Sequence, residues 1–210
     1  PVTDFGADTM LVIATRDGYI KKTQASEFSN IRQNGLIAIG LREGDELIGV
    51  LETSGADELI LGTAQGMSIM FSEEDVRDMG RTAMGVKAAA LREGDSVVGI
   101  DIVRDGRDVL VISENGYGKR TPVAEYKIQR RGGIGVRTLN VTDKTGGMCT
   151  LIIVDGTEDI MLINDAGIII RTRVSEISVY GRDTQGVRLM NLGDESRVVS
   201  VALAPPDEVE

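Results

Sequence analysis

Apolar residues fall in short runs, and the runs recur. Met10-Leu-Val-Ile-Ala-Thr15, Leu59-Ile-Leu-Gly-Thr63, Val109-Leu-Val-Ile-Ser113 and Ile160-Met-Leu-Ile-Asn164 each read as a strand and lead to a turn glycine. Those glycines, Gly18, Gly66, Gly116 and Gly167, are 48, 50 and 51 residues apart. Asp17-Gly18 and Asn115-Gly116 predict tight type I′ hairpins, whose two central residues both need positive φ. A second strand follows each turn: Tyr19 to Thr23, Met67 to Phe71, Tyr117 to Thr121 and Ile168 to Thr172. An acid stands nine positions past every turn glycine (Glu27, Asp75, Glu125, Glu176). A second glycine comes 17 to 19 past it: Gly35, Gly85, Gly135 and Gly186. The first two repeats then turn at Arg42-Glu-Gly-Asp45 and Arg92-Glu-Gly-Asp95. Each repeat closes on an apolar run beginning at Leu47, Val97, Leu151 or Val198.

Each unit thus predicts about four short antiparallel strands and no long helix, because the 3.6-residue period is missing. Short strands in units of ~40–50 residues predict an all-β, propeller-like fold. The four blades are expected at about 8–55, 56–105, 106–157 and 158–204, as one domain over 8–204, with an acidic tail at 205–210. A blade cannot bury both faces alone, so the units must pack side by side. Either the ring closes or further blades are needed, since open strand edges are sticky. The chain opens at Pro1-Val2-Thr3 without Met, as a piece of something longer would.

Composition removes most enzyme classes. There is no His, which excludes His-based triads and the usual zinc sites. No phosphate-binding loop or nucleophile elbow is present. No catalytic residue, metal or cofactor is therefore expected. The carboxylates of Glu73-Glu74-Asp75 and of the Glu-Gly-Asp turns read as solvated loop charge. The single Cys149 reads as a small apolar filler and fits a reducing, cytoplasmic setting. No apolar run nears the ~20 residues of a membrane helix, and no membrane partner is expected.

The net charge of −10 argues against nucleic acid at first sight, but binding is local. Basic residues recur at fixed places in the repeat. Lys22, Arg120 and Arg171 stand four past a turn glycine, beside Lys21, Lys119 and Arg173. Around the second glycines lie Arg32; Arg81 and Lys87; Arg130, Arg131 and Arg137; Arg182 and Arg188. Residues 116–137 carry a local charge of +5. Stacked repeats would bring these side chains to one curved basic rim.

The segment Gln129-Arg130-Arg131-Gly132-Gly133-Ile134-Gly135 resembles the Q-R-R-G-G-[K/R]-G box of bacterial DNA gyrase A subunits. Asn115-Gly-Tyr-Gly-Lys-Arg-Thr-Pro122, Met79 to Lys87, Asn30 to Leu36 and Asp183 to Leu189 are similar to other phrases of the C-terminal domain of that family. The resemblance covers roughly residues 8–204. It implies a β-pinwheel, in which strands are exchanged between neighbouring blades. It implies binding and wrapping of duplex DNA on a basic outer rim in support of negative supercoiling. It also implies an assembly with the remaining parts of the gyrase A and B polypeptides, which carry out cleavage and ATP hydrolysis. The DNA-binding set carried over comprises Lys21, Lys22, Arg32, Arg81, Lys87, Lys119, Arg120, Arg137, Arg171, Arg173, Arg182 and Arg188. Gln129, Arg130, Arg131, Gly132, Gly133 and Gly135 of the box complete it.

Two departures bear on that set. Ile134 stands where the box has Lys or Arg, and the heptad lies in the third repeat, whereas the family places its principal box in the first blade. These imply that the chain holds the last four of about six blades, with a degenerate box. Few aromatics argue against single strands and RNA. Two other readings remain: the corresponding C-terminal domain of topoisomerase IV, and a protein-interaction propeller.

Overall fold

The computed structural model describes residues 2, 5–6, 8–31, 33–193 and 196–206. Arg32 and residues 207–210 of the expected tail lie outside the described residues. The first repeat supplies β1 (Met10–Thr15), β2 (Tyr19–Gln24) and β3 (Leu47–Thr53). The second supplies β4 (Glu58–Thr63), β5 (Met67–Ser72), β6 (Val86–Lys87) and β7 (Val97–Ile102). The third supplies β8 (Asp108–Ser113), β9 (Tyr117–Pro122), β10 (Val136–Arg137) and β11 (Met148–Val154). The fourth supplies β12 (Asp159–Asn164), β13 (Ile169–Arg173), β14 (Val187–Arg188) and β15 (Val198–Ala204). One turn of 3-10 helix follows the second strand of each repeat.

These strands form four small antiparallel sheets in a four-blade propeller arrangement: β3-β1-β2-β6, β7-β4-β5-β10, β11-β8-β9-β14 and β15-β12-β13. Strand β3 packs beside β7, β7 beside β11 and β11 beside β15, so these strands gather at the inner edge. The sheets run outward to β6, β10 and β14.

The opening strands of the first three repeats are buried on both faces, which explains their continuous apolar runs, while in β12 Met161 and Ile163 are only partly covered. In β4, Leu59 and Leu61 face the first sheet, packing with Val12 and Ala14, while Ile60 turns to the third and meets Val109 and Val111. In β8, Leu110 and Ile112 turn to the fourth sheet and meet Ile160 and Leu162. The cores therefore lie between blades, and each buried Leu or Ile contributes roughly 1.5–3 kcal/mol.

The hairpins differ from the expected two-residue turns. Register runs Ala14↔Ile20, Gly62↔Ser68, Ile112↔Gly118 and Ile163↔Ile169, and Gly18 N–H bonds the Thr15 carbonyl. The loops have three residues and end on a glycine at φ near +80°. That is the bulged three-residue hairpin, which needs one left-handed residue where the type I′ turn needs two.

The outermost strand of each complete sheet comes from the next repeat. Val86 pairs with Ile20, Val136 with Ser68 and Val187 with Gly118. The fourth sheet has three strands. The exchange depends on Gly85, Gly135 and Gly186. They sit at φ +81°, +80° and +74°, and a Cβ on each would collide with the carbonyls of Ile20, Ser68 and Gly118 respectively.

Candidate nucleic-acid interface

The handed-on strand brings one cation to the same outer place in three sheets: Lys87, Arg137 and Arg188, all exposed. Six residues earlier stand Arg81, Arg131 and Arg182, half-buried along the seams between repeats. The backbone fixes these loops by one rule. The amides of Met79, Gln129 and Tyr180 bond the carbonyls of Lys22, Met70 and Arg120 on the preceding repeat at 2.8, 2.7 and 2.8 Å.

The box-like heptad occupies the middle seam. Gly132 N–H bonds the Ala88 carbonyl at 2.6 Å, and Ala90 N–H bonds the Gly133 carbonyl at 2.8 Å. Arg131 donates from Nε to the Asp75 carbonyl (2.8 Å) and from Nη1 to the Lys87 carbonyl (2.9 Å). Arg131 thus clips one repeat to the next, and Arg130 is left exposed beside Asp75. Gln129 is half-buried, and Ile134 is 52% exposed.

The basic residues on the second strands are placed differently from the expected open rim. Lys21 and Lys119 are fully buried. Lys21 Nζ donates to the carbonyls of Ala38 (2.6 Å), Gly80 (3.0 Å) and Arg81. Lys119 Nζ donates to those of Gly181 (2.6 Å) and Arg182 (2.5 Å). Burial pulls both ammonium groups down to about 8, against the opposing pull of Glu27 on Lys21 and of Glu125 and Asp183 on Lys119. Lys22 is buried and pairs with Asp78 at 3.4 Å. Arg120 pairs with Asp108 at 3.0 Å and donates to the Ile177 carbonyl at 2.8 Å. Arg171 pairs with Asp159 at 2.7 Å and donates to the Pro205 carbonyl. The first four share a physical reason. In the first and third sheets the second strand lies between the opening strand and the handed-on one, so its cations meet backbone and carboxylates before solvent. Arg171 lies on β13, at the edge of the three-stranded fourth sheet, and stays partly exposed beside Asp159.

The remaining cations reach the surface with lighter ties. Arg137 meets Asp183 at 3.2 Å, both more than half exposed, and Arg173 lies 4.0 Å from Glu176. Such exposed pairs are worth ~0–1 kcal/mol and yield readily to a phosphate. Arg182 lies over the Tyr126 ring and donates to the Arg137 carbonyl at 3.2 Å. Arg188 donates to the Tyr117 hydroxyl at 2.8 Å.

Two features escape the repeat pattern. Lys144 lies 5.2 Å from the Tyr117 ring centre, opposite Arg188, in a polar cleft of about 370 Å³ that Arg197 also lines. Its signal in the sequence is a lysine in the turn that reads Arg-Glu-Gly-Asp in the first two repeats. Arg42, in the first of those turns, stacks 3.4 Å from the Tyr19 ring centre and donates to the Met84 carbonyl. The carboxylates are also less idle than expected. Glu73 is fully buried and accepts from the Thr53 hydroxyl and Asp57 N–H, both at 2.7 Å. Asp45 and Asp95 accept from the hairpin-turn amides of Asp17 and Gln65. Cys149 donates to the Ile112 carbonyl at 3.3 Å, and burial pushes its thiol up to about 12.

Known proteins share this arrangement. The family described as the DNA gyrase C-terminal domain, beta-propeller, matches residues 9–54, 57–104, 107–147 and 158–205. The DNA gyrase A subunit of Staphylococcus aureus (strain MRSA252) is 47% identical over 97% of this chain. The chain spans 23% of that relative's length. Among solved structures, the C-terminal domain of DNA topoisomerase IV superposes with a TM-score of 0.92 at 26% identity, over 98% of this chain and 64% of the other. The DNA gyrase A C-terminal domain gives 0.87 at 28% identity, over 96% and 68%.

Proposed function

Because this chain belongs to the DNA gyrase C-terminal domain family, we propose that it binds duplex DNA without reading its sequence and bends it along the outer strands. It does so as a non-catalytic part of the gyrase A polypeptide, in the bacterial cytoplasm. There it works with the rest of that polypeptide and with the gyrase B polypeptide to support negative supercoiling.

One observation carries this reading. Each complete sheet ends in a strand from the next repeat, and each such strand carries an exposed cation: Lys87, Arg137, Arg188. Wrapping needs phosphate neutralisation along a curve, with no base contacts. Bending 20–30 bp by 40–90° costs on the order of 1–6 kcal/mol, so several modest contacts at regular spacing suit it better than one strong site. Arg130, Arg81, Arg173 and Arg182 extend the row. The buried Lys21 and Lys119 act on it only from beneath.

Titration of a labelled linear duplex at low and moderate salt tests the proposal. Binding should fall steeply with salt and be indifferent to sequence. Lys87→Glu with Arg137→Glu and Arg188→Glu should abolish it while the chain stays folded. No binding at low salt, or binding unchanged in the triple variant, would falsify the reading. The topoisomerase IV counterpart is the second reading, favoured by the closer superposition on that domain. A minicircle assay on the whole enzyme separates the two, because only the gyrase reading predicts introduction of negative supercoils into relaxed DNA.

A further inference from the structure

Lys21 and Lys119 present a puzzle that the wrapping surface alone does not answer. Each ammonium is fully buried and has no carboxylate within ion-pair distance among the described residues. Burying a charge this way is expensive, and an apolar side chain of similar size is often no worse for stability. The molecule itself makes that substitution. At the middle seam the same position is Ile69, 1% exposed, against Gly133 of the loop. The fold therefore accepts an apolar residue there.

What sets the two lysines apart is their acceptors. Lys21 holds the carbonyls of Gly80 and Arg81, and Lys119 holds those of Gly181 and Arg182. Both pairs come from the following repeat, and each ends on the arginine of its seam. Two converging carbonyls fix the peptide planes on either side of that arginine, and so the direction in which its side chain leaves the loop. Ile69 cannot do this. At its seam Arg131 uses its own guanidinium to clip the loop.

We infer that Lys21 and Lys119 are positioning residues: from inside the sheet, their ammonium groups aim Arg81 and Arg182 at the DNA backbone. The assignment rests on the wrapping reading above and adds to it a difference between seams: a buried lysine holds the loop at the outer two, whereas at the middle one no lysine lies beneath and Arg131 holds the loop with two guanidinium bonds.

The test uses Lys119→Met and Lys21→Met, with Ile69→Met as control. Two readouts are needed. The slope of log K against log salt for a linear duplex counts phosphates neutralised, at about 0.9 each for B-DNA. Amide hydrogen exchange of residues 181–186, without DNA, reports the loop itself. Lys119→Met is expected to remain folded by near-unchanged thermal melting, to exchange faster at 181–186, and to lose about 1 from the salt slope. Lys21→Met should do the same at 80–85, and Ile69→Met should change neither readout. A full salt slope in both lysine variants overturns the assignment, whatever their melting temperatures. An absent duplex affinity in the unaltered chain overturns the wrapping reading instead, and then faster exchange at 181–186 still separates a loop-ordering lysine from an inert one.

Discussion

Residues 30–37 and residues 130–137 share a plan but not an outcome. Both run to a glycine in the left-handed region, Gly35 at φ +74° and Gly135 at +80°. Gly135 presses on the backbone of the preceding repeat, and Val136-Arg137 joins a sheet. Around Gly35 nothing lies where a Cβ would go, and Leu36-Ile37 pairs with no strand among the described residues. The seam arginine of the later repeats is Ile31 here, 65% exposed, and the outer-strand cation is Ile37, 67% exposed. The same motif therefore builds a rim only where a preceding hairpin receives it. Glycine supplies the capacity for close approach, and the neighbour supplies the contact.

Substituting the two glycines should break the comparison most sharply. Gly135→Ala forces a Cβ into the Ser68 carbonyl as well as an unfavourable φ, and should cost about 3 kcal/mol or more. Gly35→Ala bears the φ penalty alone, about 1–2 kcal/mol. Urea melts of both variants check this, and equal losses would mean that the close approach carries no weight.

Charge reversal comes next. Arg131→Glu removes two bonds to backbone carbonyls and should destabilise by about 1–3 kcal/mol, while also weakening duplex binding. Arg130→Glu should weaken binding with stability within ~0.5 kcal/mol of the parent. Ile31→Glu should leave both near the parent values. Paired melting and titration curves distinguish the three.

A smaller effect should appear on raising the pH. Lys21 and Lys119 titrate at about 8 in the folded chain against 10.5 when unfolded. Between those values the unfolded chain binds more protons, so stability climbs with pH and falls again as pH drops through 8. Stability should therefore rise between pH 8 and 9.5. Denaturant melts at the two pH values read it, and the double Met variant should show a flatter profile.

The smallest effect sharpens the contrast. Ile134→Lys places a cation on a loop already docked to its neighbour and should steepen the salt slope by about 0.9. Ile37→Lys places one on a stretch that joins no sheet, and should leave the slope unchanged. A gain from both would show that charge suffices without the strand.

Much of this was legible in the chain. Glycine spacing marked out the repeats, and the unbroken apolar runs announced their opening strands. The handed-on strands came only through family resemblance, since Val86-Lys87 carries no mark in its own sequence that it belongs to Tyr19-Ile20. The rim was half legible. Periodicity placed Lys21 with Lys119, and Arg120 with Arg171, at equivalent positions, but equivalence does not fix depth. Which cations reach solvent depends on strand order within the sheet, a long-range property. Glu73 reads as solvated loop charge but is buried, for the same reason: its partners Thr53 and Asp57 lie 20 and 16 residues away.

The borrowed outer strand also bears on how the molecule is made. None of the first three blades can be finished from its own residues, because its last ladder arrives only when the following repeat has left the ribosome. Synthesis therefore carries forward one unfinished edge at a time, each closed by the next module before a stranger can reach it.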